Sequence, residues 1–148
     1  MLKTLNIKLM WKCPTCNRSF RNVNQNQCCA GKDVTDFLVG KTENVCMLYN
    51  EIMSTFENIG PIHLSATKSM IVIAADTGFA YIIKLGKDFI DVVLPFSQPF
   101  TNNLCFRKIA LVPGTTQYNH HLRIILAEDL NDEVIEYFKI AYANGKTI

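Results

Sequence analysis

The chain has 148 residues, 49% of them hydrophobic and 19% charged, with a formal net charge of +2 at pH 7. That composition specifies a globular chain, not a disordered one, long enough for one ordinary domain with a small appendage. Its longest apolar runs, such as "MIVIAA" and "FAYII", fall far short of the ~20 residues that span a bilayer, so no membrane segment is expected.

The opening "MLKTLNIKLMW" is interrupted by Lys3 and Lys8 and offers no continuous apolar secretory core, which makes cytoplasm the expected compartment. Residues 1 to 32 carry Lys3, Lys8, Lys12, Arg18, Arg21 and Lys32 and no acid; the first acid is Asp33. Of 15 basic and 13 acidic residues, the head thus takes 6 basic, leaving 9 basic against 13 acidic, a net of −4, for the rest. This asymmetry divides the chain into a basic head over residues 1–32 and a body over residues 33–148.

The head holds four of the six cysteines, in "WKCPTCNRSFRNVNQNQCC". Cys13-Pro14-Thr15-Cys16 is a Cys-x-x-Cys turn, whose spacing lets two sulfurs point at one ion. Cys28 and Cys29 can supply the second pair of a tetrahedral Zn²⁺ site. A thioredoxin-like redox pair would want its motif at a helix start within a βαβ pattern, and none follows. Two disulfides would suit a secreted chain, and inert thiols remain the bland alternative. Adjacent cysteines can both ligate only where the backbone bends, because successive side chains of an extended chain diverge. The expected cofactor is one structural Zn²⁺ held by Cys13, Cys16, Cys28 and Cys29.

Beyond the head, "DVTDFLVGK" reads as a short helical turn closed by Gly40. "TENVCMLYNEIMSTFENIG" is an amphipathic helix, with Val45, Leu48, Tyr49, Ile52, Met53, Phe56 and Ile59 on one stripe, Thr42 as N-cap and Gly60-Pro61 as stop. From residue 61 the period changes. "PIHLSA", "KSMIVIAAD", "GFAYIIKLG", "DFIDVVLPF", "CFRKIALV" and "NHHLRIIL" are rich in β-branched and aromatic residues and are separated by turn residues. They predict an antiparallel meander of about five strands. "NDEVIEYFKIAYANG" is a second helix, capped by Asn131 or Asp132, with Val134, Ile135, Phe138, Ala141 and Tyr142 inward. The expected fold is α+β, with both helices on one face of the sheet and a small zinc-binding head.

Taken together, "CPTCNRSF…NQNQCC", "IGPI", "TK", "HHLRI" and "AEDLNDEVIEYFKIAY" resemble an uncharacterised bacterial family, domain of unknown function 5655. The resemblance covers residues 11 to 144. It implies that the domain follows a small zinc-finger-like head whose pattern continues Asn-Gln-x-His-x-Cys. Asn24, Gln25 and Cys29 match that pattern; its histidine position holds Gln27 here, and Cys28 beside it would take its place. The family implies no activity.

Two candidate sites follow. His120 and His121 sit on one strand, where neighbours face opposite sides. One is expected to pack inward and hydrogen-bond, and the other to lie on the open face with Arg123 and Tyr118, two or three positions away. With Thr67, Lys68, His121 and Arg123 contributing cations and a hydroxyl, that face is a candidate small-ligand or enzymatic pocket. The other candidate is a surface for nucleic acid or a protein partner, formed in the head by Trp11, Lys12, Arg18, Phe20, Arg21 and Lys32. Cys46 and Cys105 are expected as small core residues. The acidic run Glu128, Asp129, Asp132, Glu133 and Glu136 is expected to serve helix capping and a solvated face. No phosphate loop or hydrolase motif is present, so a non-enzymatic interaction module is the leading expectation.

The metal expectation has a direct test. Native mass spectrometry of protein purified without chelator should show one zinc per chain, lost to a strong chelator. Cys28→Ser should lower zinc affinity; full affinity in that variant would remove Cys28 from the ligand set and reopen the site to an exchangeable fourth ligand.

Overall fold

The computed structural model describes residues 34–146 throughout, and before them the backbone of residues 11–12 and 19–20. Strand β1 (Trp11–Lys12) pairs antiparallel with β2 (Ser19–Phe20), placing Trp11 opposite Phe20 and Lys12 opposite Ser19. Cys13, Cys16, Cys28, Cys29, Arg18, Arg21 and Lys32 lie outside the described residues.

A 3-10 turn over Val34–Leu38 buries Phe37, and Gly40 follows at φ 77°, a left-handed conformation that glycine adopts without a Cβ penalty. Helix α1 (Glu43–Ile59) starts where the sequence says it should. Thr42 Oγ1 accepts the Val45 N–H at 3.2 Å and donates to the Lys87 carbonyl at 3.1 Å, so the cap also ties the helix to a turn of the sheet. Val45, Leu48, Tyr49, Ile52, Met53 and Phe56 form its buried stripe.

Six strands follow: β3 (His63–Ala66), β4 (Ile71–Ala74), β5 (Gly78–Leu85), β6 (Ile90–Phe96), β7 (Phe106–Leu111) and β8 (Tyr118–Ile124). All neighbours are antiparallel, in the order β3-β4-β5-β6-β8-β7. The α+β class is as expected, but the meander needs correction. Among the described residues this sheet has six strands, and the last two exchange places, so the segment between β6 and β7 crosses over β8. The sequence shows a run of nine residues between those strands but not where it lands, because both orders bury the same alternate residues.

Helix α2 (Asp132–Gly145) is capped by Asn131, whose Oδ1 accepts the Val134 N–H at 3.0 Å. It lies beside α1 on the same face of the sheet. Phe56 of α1 stacks on Phe138 of α2 at 4.1 Å between ring centroids and meets Phe79 of β5 edge-on at 5.3 Å. Tyr142 continues the chain of rings against Phe79, and its hydroxyl donates to the Pro61 carbonyl at 2.9 Å. At the end of α2 the carbonyl of buried Gly145 accepts the N–H groups of Asp76 and Thr77, both at 2.9 Å. A Cβ there would stand 2.8 Å from Phe79 and 3.0 Å from the Thr77 carbonyl, so only glycine lets the β4–β5 turn dock on the helix end. Among the described residues no helix is long and apolar enough to cross a membrane.

Candidate functional site on the open face of the sheet

Alternation along β6 and β8 sorts their side chains into two sets. Ile90, Val92, Leu94 and Phe96 of β6, with His120, Leu122 and Ile124 of β8, face the helices and are buried. Asp91, Val93 and Pro95, with Asn119, His121 and Arg123, face the other way, and register pairs them as Asp91–Arg123, Val93–His121 and Pro95–Asn119. On this open face Asp91 and Arg123 form a two-pronged ion pair: Nε donates to Oδ1 at 2.7 Å and Nη2 to Oδ2 at 3.0 Å. The Arg123 guanidinium lies 3.7 Å above the centre of the Phe89 ring, and the Asp91 hydrogen bonds hold its pKa above the ordinary arginine value.

Two β-bulges enlarge this cluster. In β5 the register jumps past Ile83, which places Lys84 opposite Asp91, where strict alternation would have turned it toward the helices. In β7 it jumps past Arg107, which places Lys108 opposite His121 and sends Arg107 toward Asp91, Nη1 to Oδ1 3.7 Å. Lys84 Nζ sits 5.7 Å from the Phe89 ring centre. The result is Lys84, Arg107, Lys108 and Arg123 around a single carboxylate, with Phe89 beneath, Tyr81 in register with Val93, and His121 between. Burial and neighbouring Lys108 hold His121 below the ordinary imidazole pKa, so at neutral pH it offers an uncharged donor and acceptor.

The two histidines divide as expected, His120 inward and His121 outward with Arg123. Tyr118 shares the parity of His120, not that of His121. His120 Nε2 accepts the Phe100 N–H at 3.0 Å, so the ring proton sits on Nδ1, which donates to the Tyr118 carbonyl at 2.9 Å. Rings of Phe96, Phe100 and Phe106 surround it. This buried, fully paired imidazole pins the crossover between β6 and β7. Asn103 shapes the same crossover: Oδ1 accepts the N–H groups of Cys105 at 3.1 Å and Phe106 at 3.0 Å, and Nδ2 donates to the Phe100 carbonyl.

Thr67 and Lys68 do not join the cluster. They sit in the β3–β4 turn at the first strand of the sheet, four strand spacings, or roughly 19 Å, from β8. The Thr67 hydroxyl is occupied by its own turn, accepting from Ser69 and Met70 N–H at 3.2 and 3.1 Å. In the acidic run, Asp129 Oδ2 accepts the Ile125 and Leu126 N–H groups at 2.8 and 2.9 Å, a turn-closing role. The Cys105 thiol is half-buried and pushed up to about 11 by burial and the neighbouring Glu133 charge, so it stays protonated and unreactive at neutral pH. Both His120 nitrogens are occupied and Asp91 is held by arginine; the described residues around the cluster assemble no nucleophile with a base. Sequence reading missed Lys84, Phe89, Asp91, Arg107 and Lys108. The recurring Lys and Arg in β5, β7 and β8 were the available signal, but the bulges that bring them together were not.

His120→Ala should lower stability by ~1–3 kcal/mol through a lost buried hydrogen-bonding partner, whereas His121→Ala should stay within ~0.5 kcal/mol of wild type. Burial lowers the folded-state pKa of His120, so the unfolded chain takes up protons that the folded chain refuses. Its contribution is complete above the ordinary imidazole value and is lost as pH falls below ~6.5. Thermal melts between pH 7.5 and 5 should therefore fall with pH, and less steeply in His120→Ala; equal slopes would exclude this role.

No curated protein and no solved structure matches the chain. The profile of the family described as "Domain of unknown function (DUF5655)" matches residues 34–145. The match takes in both helices and the whole six-stranded sheet, including the open-face cluster, and begins after the basic head. Because it spans well over half of the 148 residues, the chain belongs to the DUF5655 family.

Proposed function

We propose that this protein is a non-enzymatic interaction module that binds single-stranded nucleic acid across the open face of its sheet, with the basic head as a second contact. The observation that carries this reading is the sorting of charge. Of the 9 basic residues beyond residue 32, four (Lys84, Arg107, Lys108 and Arg123) gather on the open face. Of the 13 acids only Asp91 faces them from the strands, with Asp88 in the adjoining turn. Asp91 is engaged by Arg123 and approached by Arg107, while Lys84 and Lys108 have no carboxylate partner among the described residues. Uncompensated cations on a body of net negative charge attract phosphate, and the half-exposed Tyr81 ring and the Arg123 guanidinium that covers Phe89 suit stacking of unpaired bases. The same cations would suit an acidic protein segment; the interleaved rings favour bases.

The head reading is a proposal of the same kind. Lys12 and Ser19, which flank the Cys13-Pro14-Thr15-Cys16 motif in sequence, pair across two antiparallel strands, an arrangement compatible with a Cys-x-x-Cys metal knuckle. One Zn²⁺ on Cys13, Cys16, Cys28 and Cys29 would staple a segment too small to bury its own core and would present Lys12, Arg18, Phe20, Arg21, Lys32 and Trp11. Such a closed site would order the head and leave no open position for chemistry. The small-ligand alternative around His121 and Arg123 loses Thr67 and Lys68, which leaves the extended surface as the better-supported use of this face.

Fluorescence anisotropy with labelled oligo-dT and oligo-U should show binding at low salt that weakens steeply as salt rises. The log–log salt slope should be about −0.7 per phosphate contact, and Lys84→Ala and Lys108→Ala should each weaken binding and make the slope shallower by up to ~0.7. Absence of binding at low salt, or variants indistinguishable from wild type, would overturn the reading.

A further inference from the structure

A concavity lies at the end of the sheet away from the charged cluster. Its volume is about 450 Å³, within the range of small-molecule sites. Four parts of the fold meet there: the start of β5, the end of β6, the β7–β8 turn and the last turn of α2. Its polar side chains are Ser97, Thr115, Thr116, Gln117 and Asn144, and no Asp, Glu, Lys, Arg or His lines it. Pro95, Phe79 and Phe96 supply its apolar part.

The free hydrogen-bonding capacity of these groups defines the occupant. Thr115 is committed to its turn, donating to the Val112 carbonyl at 2.8 Å and accepting the Gln117 N–H at 3.0 Å. Gln117 Nε2 donates to Asn119 Oδ1 at 3.0 Å, which leaves its Oε1 open. The side chains of Ser97, Thr116 and Asn144 make no hydrogen bond among the described residues. Two hydroxyls, one amide and one amide oxygen are therefore available, converging from three separate elements. Such mixed donors and acceptors match a ligand that also carries several of each. Charge points the same way. The cavity opens beside the C-terminal end of α2, the negative end of the helix dipole, which disfavours anions. Phosphate that suits the basic face would not suit this end.

We propose that this cavity binds a neutral ring bearing vicinal hydroxyls, a pentose or hexose, through Ser97, Thr116, Gln117 and Asn144, with Pro95 packing against the ring's apolar side. The site is separate from the charged cluster and does not depend on the nucleic-acid reading. Sugar hydroxyls each donate and accept, as the open groups do, and a ring fits the available volume without a charged partner. The shared chemistry has two sources, a free sugar or the sugar of a nucleoside, which the test distinguishes.

The test is an amide-resolved NMR titration of the full chain with D-ribose, D-glucose and adenosine separately, and with inorganic phosphate as a fourth arm. Saturable shifts at Ser97, Thr116, Gln117 and Asn144, with a millimolar Kd, are expected for at least one of the first three. Tightest binding by adenosine would support a nucleoside; tightest binding by ribose or glucose would support a free sugar. The surface changes Thr116→Val and Asn144→Leu together should abolish these shifts while leaving the rest of the spectrum in place. No saturable response to any of the three, an unaltered response in the double variant, or equal shifts on adding phosphate would each overturn the proposal.

Discussion

A six-stranded sheet that carries both its helices on one face obliges every central strand to be apolar on one side and free on the other. The helix-side set, from Ile71 and Ile82 through Val92 to Leu122, is buried against α1 and α2, and the stack of Phe56 on Phe138 with Phe79 at its edge locks the two layers together. Deep burial of this kind is the dominant favourable term of the fold. Because a slip of one residue would exchange the two faces wholesale, the same packing also fixes which side chains are left outside. The open face is thus a by-product of the core, held in register by residues that take no part in it.

What that face presents is set by two irregularities. A regular ladder would have turned Lys84 and Lys108 toward the helices, where an unpaired ammonium is costly. The bulges at Ile83 and Arg107 move both lysines outward and aim Arg107 at the carboxylate that already holds Arg123. Asp91 thereby serves as an anchor: it orients Arg123 over Phe89 without neutralising the group of four cations. The crossover that puts β7 beside β8, pinned from within by His120, is what delivers Arg107 and Lys108 to this place. Core, crossover and surface cluster are in this way one construction.

Much of this was legible in the residues alone. The stripe from Val45 to Phe56, the caps Thr42 and Asn131, the turn glycine Gly40 and the inward–outward split of the histidines all follow from local periodicity and local hydrogen bonding. The class of fold followed as well, since the strands alternate and the helices do not. Three things did not. Strand order depends on where a crossover lands, and "SQPFTNNLC" contains no local sign that Phe100 will meet His120. Bulges shift parity by one residue, so strict alternation in "GFAYIIKLG" gives the wrong side for Lys84. Thr67 and Lys68 were grouped with His121 by residue type, and the sheet separates them by its width. Each miss concerns a long-range arrangement, while each success concerns neighbours a few positions apart.

The central claim is that the uncovered side of the sheet is the contact surface. It is tested most directly by mapping amide shift changes on isotope-labelled protein as a single-stranded oligo-dT is added at low salt. The account predicts changes concentrated at Tyr81, Lys84, Phe89, Arg107, Lys108 and His121, fading as salt is raised, with the outer surfaces of α1 and α2 silent. Changes confined to the helices, or none at any of those six residues under conditions where the oligonucleotide binds, would contradict it.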